Sequence, residues 1–248
     1  MKNFELENVI NEKLSSKKYN DFCPNGLQIE GCPNIKKIIT GVTACQSLID
    51  LAILNKANAI IVHHGIFWNN DDRTITGMNR KRIKSLLKND INLYSWHLPL
   101  DLHPILGNNI QIGKILNINI KGYITPMIPW GFFEKPITLE TMTNLLTKKL
   151  DRIPLYYGAN TITKKIYKVA WSSGKGQKLI NFTSRSEIDT FLTGEVSEET
   201  IHYVRENNIH FFSIGHHASE IGGIQALTNW LKSQFNLNIK FININNPI

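Results

Sequence analysis

Apolar runs of strand length alternate along this chain with segments in which apolar residues recur at helical spacing. Several runs are apolar on consecutive residues, which is typical of strands covered on both faces. The pattern predicts strands at 36–42, 59–64, 91–97, 167–173, 188–194 and 209–215, and helices at about 47–56, 79–89, 107–117, 138–150, 197–207 and 219–235. Strand–helix alternation of this kind predicts an α/β fold with layered mixed sheets and flanking helices.

A proline-rich stretch indicates where the chain divides. The segment YITPMIPWGFFEKP at 123–136 contains prolines and a glycine without a regular period. Such a composition is typical of an irregular connection. We therefore expect a crossing here between two interlinked α/β lobes, one formed by 1–125 with 191–248 and the other by 126–190.

Composition and charge argue against a membrane or secreted protein and bear on whether the protein binds nucleic acid. Hydrophobic residues make up 42% of the 248 residues, an ordinary globular value, and no apolar run approaches the roughly 18 residues of a membrane span. The amino-terminal segment lacks the features of a signal peptide, so we expect a cytoplasmic protein. The net charge of +8 would suit either a nucleic-acid surface or a soluble basic protein. The chain is also rich in Ile, Asn and Lys, the residues that AT-rich genomes favour. Because this bias can account for much of the excess of lysine, the charge is only weak support for a nucleic-acid partner.

Histidines and carboxylates follow the ends of the predicted strands. In open α/β sheets ligands bind beyond the carboxyl ends of the strands. One strand ends on His63 and His64 in IIVHHGIFW, and the next ends on His97, which Asp101 follows in HLPLD. Because the chain turns at Gly65, the paired histidines can diverge toward two ions, which a carboxylate would bridge. Solvated or structural histidines are the alternative.

The segment GHHASE at 215–220 carries a second pair of histidines. If a helix begins at His216, its imidazole shares a face with the carboxylate of Glu220, and both can bind one metal. His217 would then point elsewhere as a supporting or structural residue. Imidazoles and carboxylates without thiolate would accept Zn, Fe, Mn, Co or Ni. Since Pro99 disfavours a helix from His97 through Asp101, we expect Asp101 on an irregular loop.

Two other features have competing interpretations. The aromatic residues near the predicted site either stack on a heterocycle or pack in the core; they are Phe67, Trp68, Trp96 and Trp130. The segment GKGQ at 174–177 has too few glycines for a phosphate-binding P-loop.

Six motifs together resemble those of the GTP cyclohydrolase I type 2 family, the Nif-three-like di-metal proteins. They are TGVTACQ (40–46), IVHHG (61–65), WHLPLD (96–101), GNN (107–109), TGEVSE (193–198) and GHHASEIGG (215–223). The resemblance covers essentially the whole chain, although many members have proline where this chain has Gly65.

The resemblance implies a homohexameric ring in which each α/β subunit holds two divalent metal ions. The residues that it assigns as metal ligands are His63, His64, Asp101, His216 and Glu220. It places His97 and Glu195 near the metals, as proton-transfer or substrate-contact residues.

Two hypotheses about function follow. In the first, the protein is a metal-dependent hydrolase that acts on a nucleotide or related heterocycle through metal-activated water. In the second, it is a non-catalytic ring protein that binds metal and interacts with nucleic acid or other proteins.

Overall fold

The computed structural model describes residues 1–158, 165–184 and 186–248. Its helices are α1 Asn3–Leu14, α2 Gln46–Leu54, α3 Gly77–Lys88, α4 Leu98–Asp101, α5 Asn108–Ile115, α6 Leu139–Leu150, α7 Glu198–Glu206 and α8 His216–Gln234. Its strands are β1 Gly26–Ile29, β2 Lys37–Thr43, β3 Ala59–His64, β4 Asn92–Ser95, β5 Asn119–Thr125, β6 Ile128–Ile137, β7 Leu155–Tyr157, β8 Ile166–Ser172, β9 Thr190–Thr193, β10 His210–Ser213 and β11 Asn238–Phe241. Among these described residues, no helix combines the length and apolar character that a membrane crossing requires.

The predicted elements are confirmed, with ends that differ by a few residues. The six predicted strands correspond to β2, β3, β4, β8, β9 and β10, and the six predicted helices to α2, α3 and α5 to α8. Two mixed sheets with flanking helices confirm the α/β class. The chain divides into two compact units, Met1–Leu106 with Gly223–Asn245 and Gly107–Gly222 with Asn246–Ile248.

The first unit contains a five-stranded sheet in the order β1-β4-β3-β2-β11. Strands β2, β3 and β4 are parallel, so their carboxyl ends lie at one edge. Thr43 pairs with His64 there, and His97 follows the end of β4. Leu48 of α2 and Leu86 of α3 pack against this sheet in a buried apolar cluster.

The second unit contains a six-stranded sheet in the order β5-β6-β8-β9-β10-β7, with β8, β9 and β10 parallel at its centre. Successive strand residues point to opposite faces. Leu192 and Phe212 therefore pack in one cluster, while Phe191 and Phe211 pack in another. Burial on both faces explains why these strands are apolar on consecutive residues.

The expectation of an irregular crossing at 123–136 was wrong. This segment forms most of a hairpin of β5 and β6, closed by the pairing of Thr125 with Ile128. Pro126 lies in the turn, and Pro136 lies where the register between β6 and β8 shifts, positions at which a sheet tolerates proline. Because β9 and β10 belong to the same sheet as this hairpin, the two units divide the chain at other positions than the predicted lobes.

A buried histidine holds the chain after α4. The Nδ1 atom of His103 accepts hydrogen bonds from the backbone N–H groups of Ile105 (3.1 Å) and Leu106 (3.0 Å), and its Nε2 donates to the carbonyl of Lys13 at 3.0 Å. These bonds require a neutral imidazole. Burial lowers the pKa of His103 below its usual 6.5, which favours that form.

We expect His103→Ala to lower the free energy of unfolding by about 2–4 kcal/mol at pH 7.5, since it removes three hydrogen bonds between the buried imidazole and the backbone. With a folded pKa below the unfolded one, the histidine's contribution is complete above pH 6.5 and is lost as the pH falls. Urea unfolding of both proteins should therefore show a difference that shrinks toward pH 5. The exposed His202, paired with Glu198, provides the control His202→Ala. A pH-independent difference would contradict the assignment.

Candidate metal centre

The end of β3 presents two imidazoles with defined ring orientations. His63 is completely buried, and its Nδ1 lies 2.9 Å from the carbonyl oxygen of Trp96. A carbonyl only accepts, so Nδ1 carries the proton and Nε2 has the lone pair that a metal needs. This Nε2 lies 3.5 Å from Oδ1 of Asp101. The Nδ1 atom of His64 lies 3.2 Å from the hydroxyl of Thr43.

Asp101 lies on the short helix α4, so the expectation of an irregular loop was wrong. Pro99 stands in the first turn of this helix, where a backbone N–H has no intrahelical partner and proline is tolerated. The helix begins directly after His97 and places the Asp101 carboxylate in a buried position next to His63.

A buried carboxylate orients His97. Its Nδ1 lies 2.7 Å from Oδ1 of Asp21, whose Oδ2 accepts from the backbone of Leu98 and from Asn25, both at 2.8 Å. Burial raises the pKa of the Asp21 carboxyl, but the hydrogen bonds from His97, Asn25 and Leu98 and the charge of His97 outweigh it, so the pKa lies below its usual value. The ionised carboxylate holds the proton on Nδ1 and leaves the Nε2 lone pair of His97 for another partner.

Three imidazoles of the first unit converge. His63, His64 and His97 each offer a ring nitrogen within 4.8 Å of the others, a set that could hold a metal ion. Asp21, Cys23 and His97 are similarly close. However, burial and the charges of Asp21 and Asp101 raise the pKa of the Cys23 thiol to about 12. Since metals bind thiolate rather than thiol, this second grouping is the poorer site.

One aromatic side chain stands beside the histidines. The ring of Trp68 lies 5.1 Å from that of His97 in an edge-on arrangement and 5.8 Å from that of His64. Trp96 instead packs in the core against Tyr94. Trp130 belongs to the second unit, where Lys168 covers its ring. Of the three tryptophans with two competing interpretations, Trp68 is therefore the one whose ring lies beside the histidines.

In the second unit, α8 begins at His216 and confirms the predicted i,i+4 geometry. The Nε2 atom of His216 lies 3.2 Å from Oε1 of the buried Glu220, and its Nδ1 lies 2.7 Å from Oε1 of Glu195. Burial lowers the pKa of His216, but hydrogen bonds and charges from Glu220 and Glu195 outweigh it and raise the pKa to about 9. His217 is also buried, and its backbone N–H donates to the carbonyl of Ile248.

A glycine that sequence reasoning missed lies against this pair. Gly174 has a φ of +61°, and a Cβ at this position would overlap Oε1 of Glu220 and lie 3.2 Å from Nε2 of His216. Its N–H donates to the hydroxyl of Ser219 at 2.9 Å, and its carbonyl accepts from Gly194 at 2.9 Å. Gly174, the first residue of GKGQ, thus lies directly against His216 and Glu220.

The donor atoms of both units suit a divalent metal. They are imidazole nitrogens and carboxylate oxygens, without an ionised thiol, a set compatible with Zn, Fe, Mn, Co or Ni. The second ring nitrogen of His63 donates to the Trp96 carbonyl and that of His97 to the Asp21 carboxylate. Such bonds orient imidazoles around metal sites.

Comparison with known proteins identifies the family. The family model of Duf34/NIF3 (NGG1p interacting factor 3) matches residues 1–247. The chain is 66% identical over 248 residues to the GTP cyclohydrolase 1 type 2 homolog of Buchnera aphidicola subsp. Baizongia pistaciae and 50% identical over 247 residues to that of Escherichia coli K12, each covering 100% of both chains. The solved structure of protein ybgI, 50% identical, has a TM-score of 0.98 with 100% coverage of both chains. TTHA1606 from Thermus thermophilus is 28% identical, with a TM-score of 0.90 and the same coverage. The predicted resemblance is confirmed: this chain belongs to the Duf34/NIF3 family.

Proposed function

We propose that this protein binds two divalent metal ions per subunit and is a hydrolase acting on a nucleotide or related heterocycle. The proposed ligands are His63, His64, Asp101, His216 and Glu220. The observation that carries the proposal is the buried His63, whose Nδ1 is bound to a carbonyl and whose Nε2 is directed to the Asp101 carboxylate. Relatives named GTP cyclohydrolase 1 type 2 homolog support a nucleotide as the substrate class.

The chain supplies groups that can move protons beside such a centre. Bound divalent metals lower the pKa of water and polarise the bond under attack. His97, whose Nδ1 proton is held by Asp21, can accept a proton from the attacking water at Nε2. Glu195 is the second candidate. Its Oε1 already interacts with His216, and its Oε2 accepts from Gln177 at 3.4 Å, so substrate contact or orientation of His216 suits it better.

The alternative is a non-catalytic metal-binding protein that interacts with nucleic acid or another protein. The net charge of +8 is the observation in its favour. It predicts no turnover of any nucleotide and, for nucleic acid, an affinity that falls steeply with salt. For either function we propose a cytoplasmic homohexamer, as the family resemblance implies. Light scattering of the purified protein measures the assembly directly.

Metal analysis tests the proposal. Protein purified without chelator should contain about two divalent ions per chain, and both His63→Ala and His216→Ala should lower that number. The control His202→Ala replaces an exposed histidine of α7 and should retain the wild-type content. The same preparations are screened for turnover of guanine and adenine nucleotides. A metal-free wild type would contradict the proposed metal centre. Bound metal without turnover of any nucleotide would instead favour the non-catalytic alternative.

A further inference from the structure

A cavity of about 320 Å³ lies between the residues that follow β3 and helix α3. This volume lies within the range of small-molecule sites, about 300–1,000 Å³. The apolar side chains of its wall are Pro24, Ile66, Phe67, Trp68, Ile75 and Ile83. The same wall contains the carboxylates of Asp71 and Asp72 and the guanidinium of Arg73.

Trp68 connects this cavity with the candidate metal ligands. It lines the cavity, and its ring also lies within 5.8 Å of His64 and 5.1 Å of His97. A molecule packed against Trp68 would therefore contact a side chain that also contacts His64 and His97. Planar rings stack well on tryptophan, and nucleobases do so irrespective of sequence.

The charged groups of the wall indicate which part of a substrate fits. The Asp72 carboxylate accepts from the backbone and the hydroxyl of Thr74, at 2.9 and 2.8 Å. The Asp71 backbone N–H donates to the carbonyl of Trp68, while its exposed carboxylate forms no hydrogen bond with the described residues. Two carboxylates against one guanidinium disfavour a polyanion such as triphosphate. A carboxylate instead accepts hydrogen bonds from ring N–H and amino groups.

We propose that this cavity is the subsite for the planar heterocycle of the substrate, which stacks on Trp68 and donates hydrogen bonds to the Asp71 carboxylate. The heterocycle is of the guanine type, with adjacent N–H donors on one edge, and the phosphates of a nucleotide lie outside the cavity. This inference rests on the proposed function because it assigns the recognition of that substrate.

Calorimetric titration tests the subsite with guanosine, GTP and inorganic triphosphate as separate probes. In Trp68→Leu, guanosine and GTP should bind about 10-fold more weakly or worse, since base–aromatic stacking is lost. In Asp71→Asn, both should weaken by about 10-fold or worse, because the amide lacks the charge and keeps only one oxygen that can accept from the adjacent N–H donors. Triphosphate affinity should not change in either variant. Phe182→Leu and Glu140→Gln, which alter an exposed aromatic and an exposed carboxylate, are the matched controls.

Metal content and turnover are measured on the same preparations. These measurements distinguish a failure of the subsite from a failure of the proposed hydrolase function. Wild-type guanosine affinity in Trp68→Leu, or no guanosine binding by the metal-loaded wild type, would overturn the subsite whatever the turnover. Guanosine binding that depends on Trp68, without turnover of any nucleotide, would overturn only the hydrolase. Unchanged metal content in Trp68→Leu shows that the neighbouring histidines are intact.

Discussion

Replacing His97 with glutamine is expected to lower turnover by about 10²–10⁴-fold while the metal content stays at the wild-type level. Glutamine keeps a polar side chain of similar reach but cannot accept and release a proton as imidazole does. The structure supports this role because Asp21 fixes Nδ1 of His97 at 2.7 Å and so leaves Nε2 for the reacting proton. The nucleotide found in the turnover screen is the substrate for this measurement, and His202→Gln is the control.

Asp21→Asn tests the positioning of His97 apart from its chemistry. An asparagine can still accept from Nδ1 but lacks the charge that stabilises a protonated imidazole, so turnover should fall by at least about 10-fold. Long-range ¹H–¹⁵N correlation spectra should show the Nδ1–H tautomer of His97 in the wild type and a mixed population in the variant. Loss of metal in His97→Gln would contradict a proton-transfer role and make His97 a ligand instead.

Local periodicity was sufficient to predict most elements of both sheets. It also predicted the strand that ends on His63 and His64 and the pairing of His216 with Glu220. The strand ending on His63 and His64 is apolar because both its faces are covered, and its carboxyl end lies at the edge where parallel strands finish together. The pairing of His216 with Glu220 needs only that a helix begin at the first histidine. These features depend on residues a few positions apart.

Features that depend on distant residues were missed. Asp21 is 76 positions from His97, and no local pattern indicated that its carboxylate would be buried against an imidazole. Gly174 lies beside Glu220 only because β8 and β10 flank β9 in the same sheet. The β5–β6 hairpin was misread for a different reason: its prolines suggested an irregular connection, but Pro126 lies in the turn and Pro136 lies at a register shift, where a sheet tolerates proline.

Replacing Gly174 with alanine is expected to weaken metal binding by about 10–100-fold, the range found when groups that orient metal ligands are altered. The new Cβ would overlap Oε1 of Glu220, so this carboxylate must rotate away from His216. Competition with a chelating dye measures the affinity for Zn²⁺. The positive φ of residue 174 adds a folding cost of about 1 kcal/mol for any residue with a side chain.

Gly77→Ala separates these two effects. Gly77 has a φ of +49°, close to that of Gly174, but a Cβ there would meet no atom within 4 Å. The positive φ should cost both variants about 1 kcal/mol in the free energy of unfolding. Gly174→Ala should lose more than that, because it also displaces Glu220 from His216, and only this variant should lose metal affinity. Equal affinity for Zn²⁺ in the two variants would mean that the Glu220 carboxylate does not bind the ion, because its displacement would then carry no penalty. A loss confined to Gly174→Ala would instead explain why a glycine with a left-handed backbone stands beside His216 and Glu220.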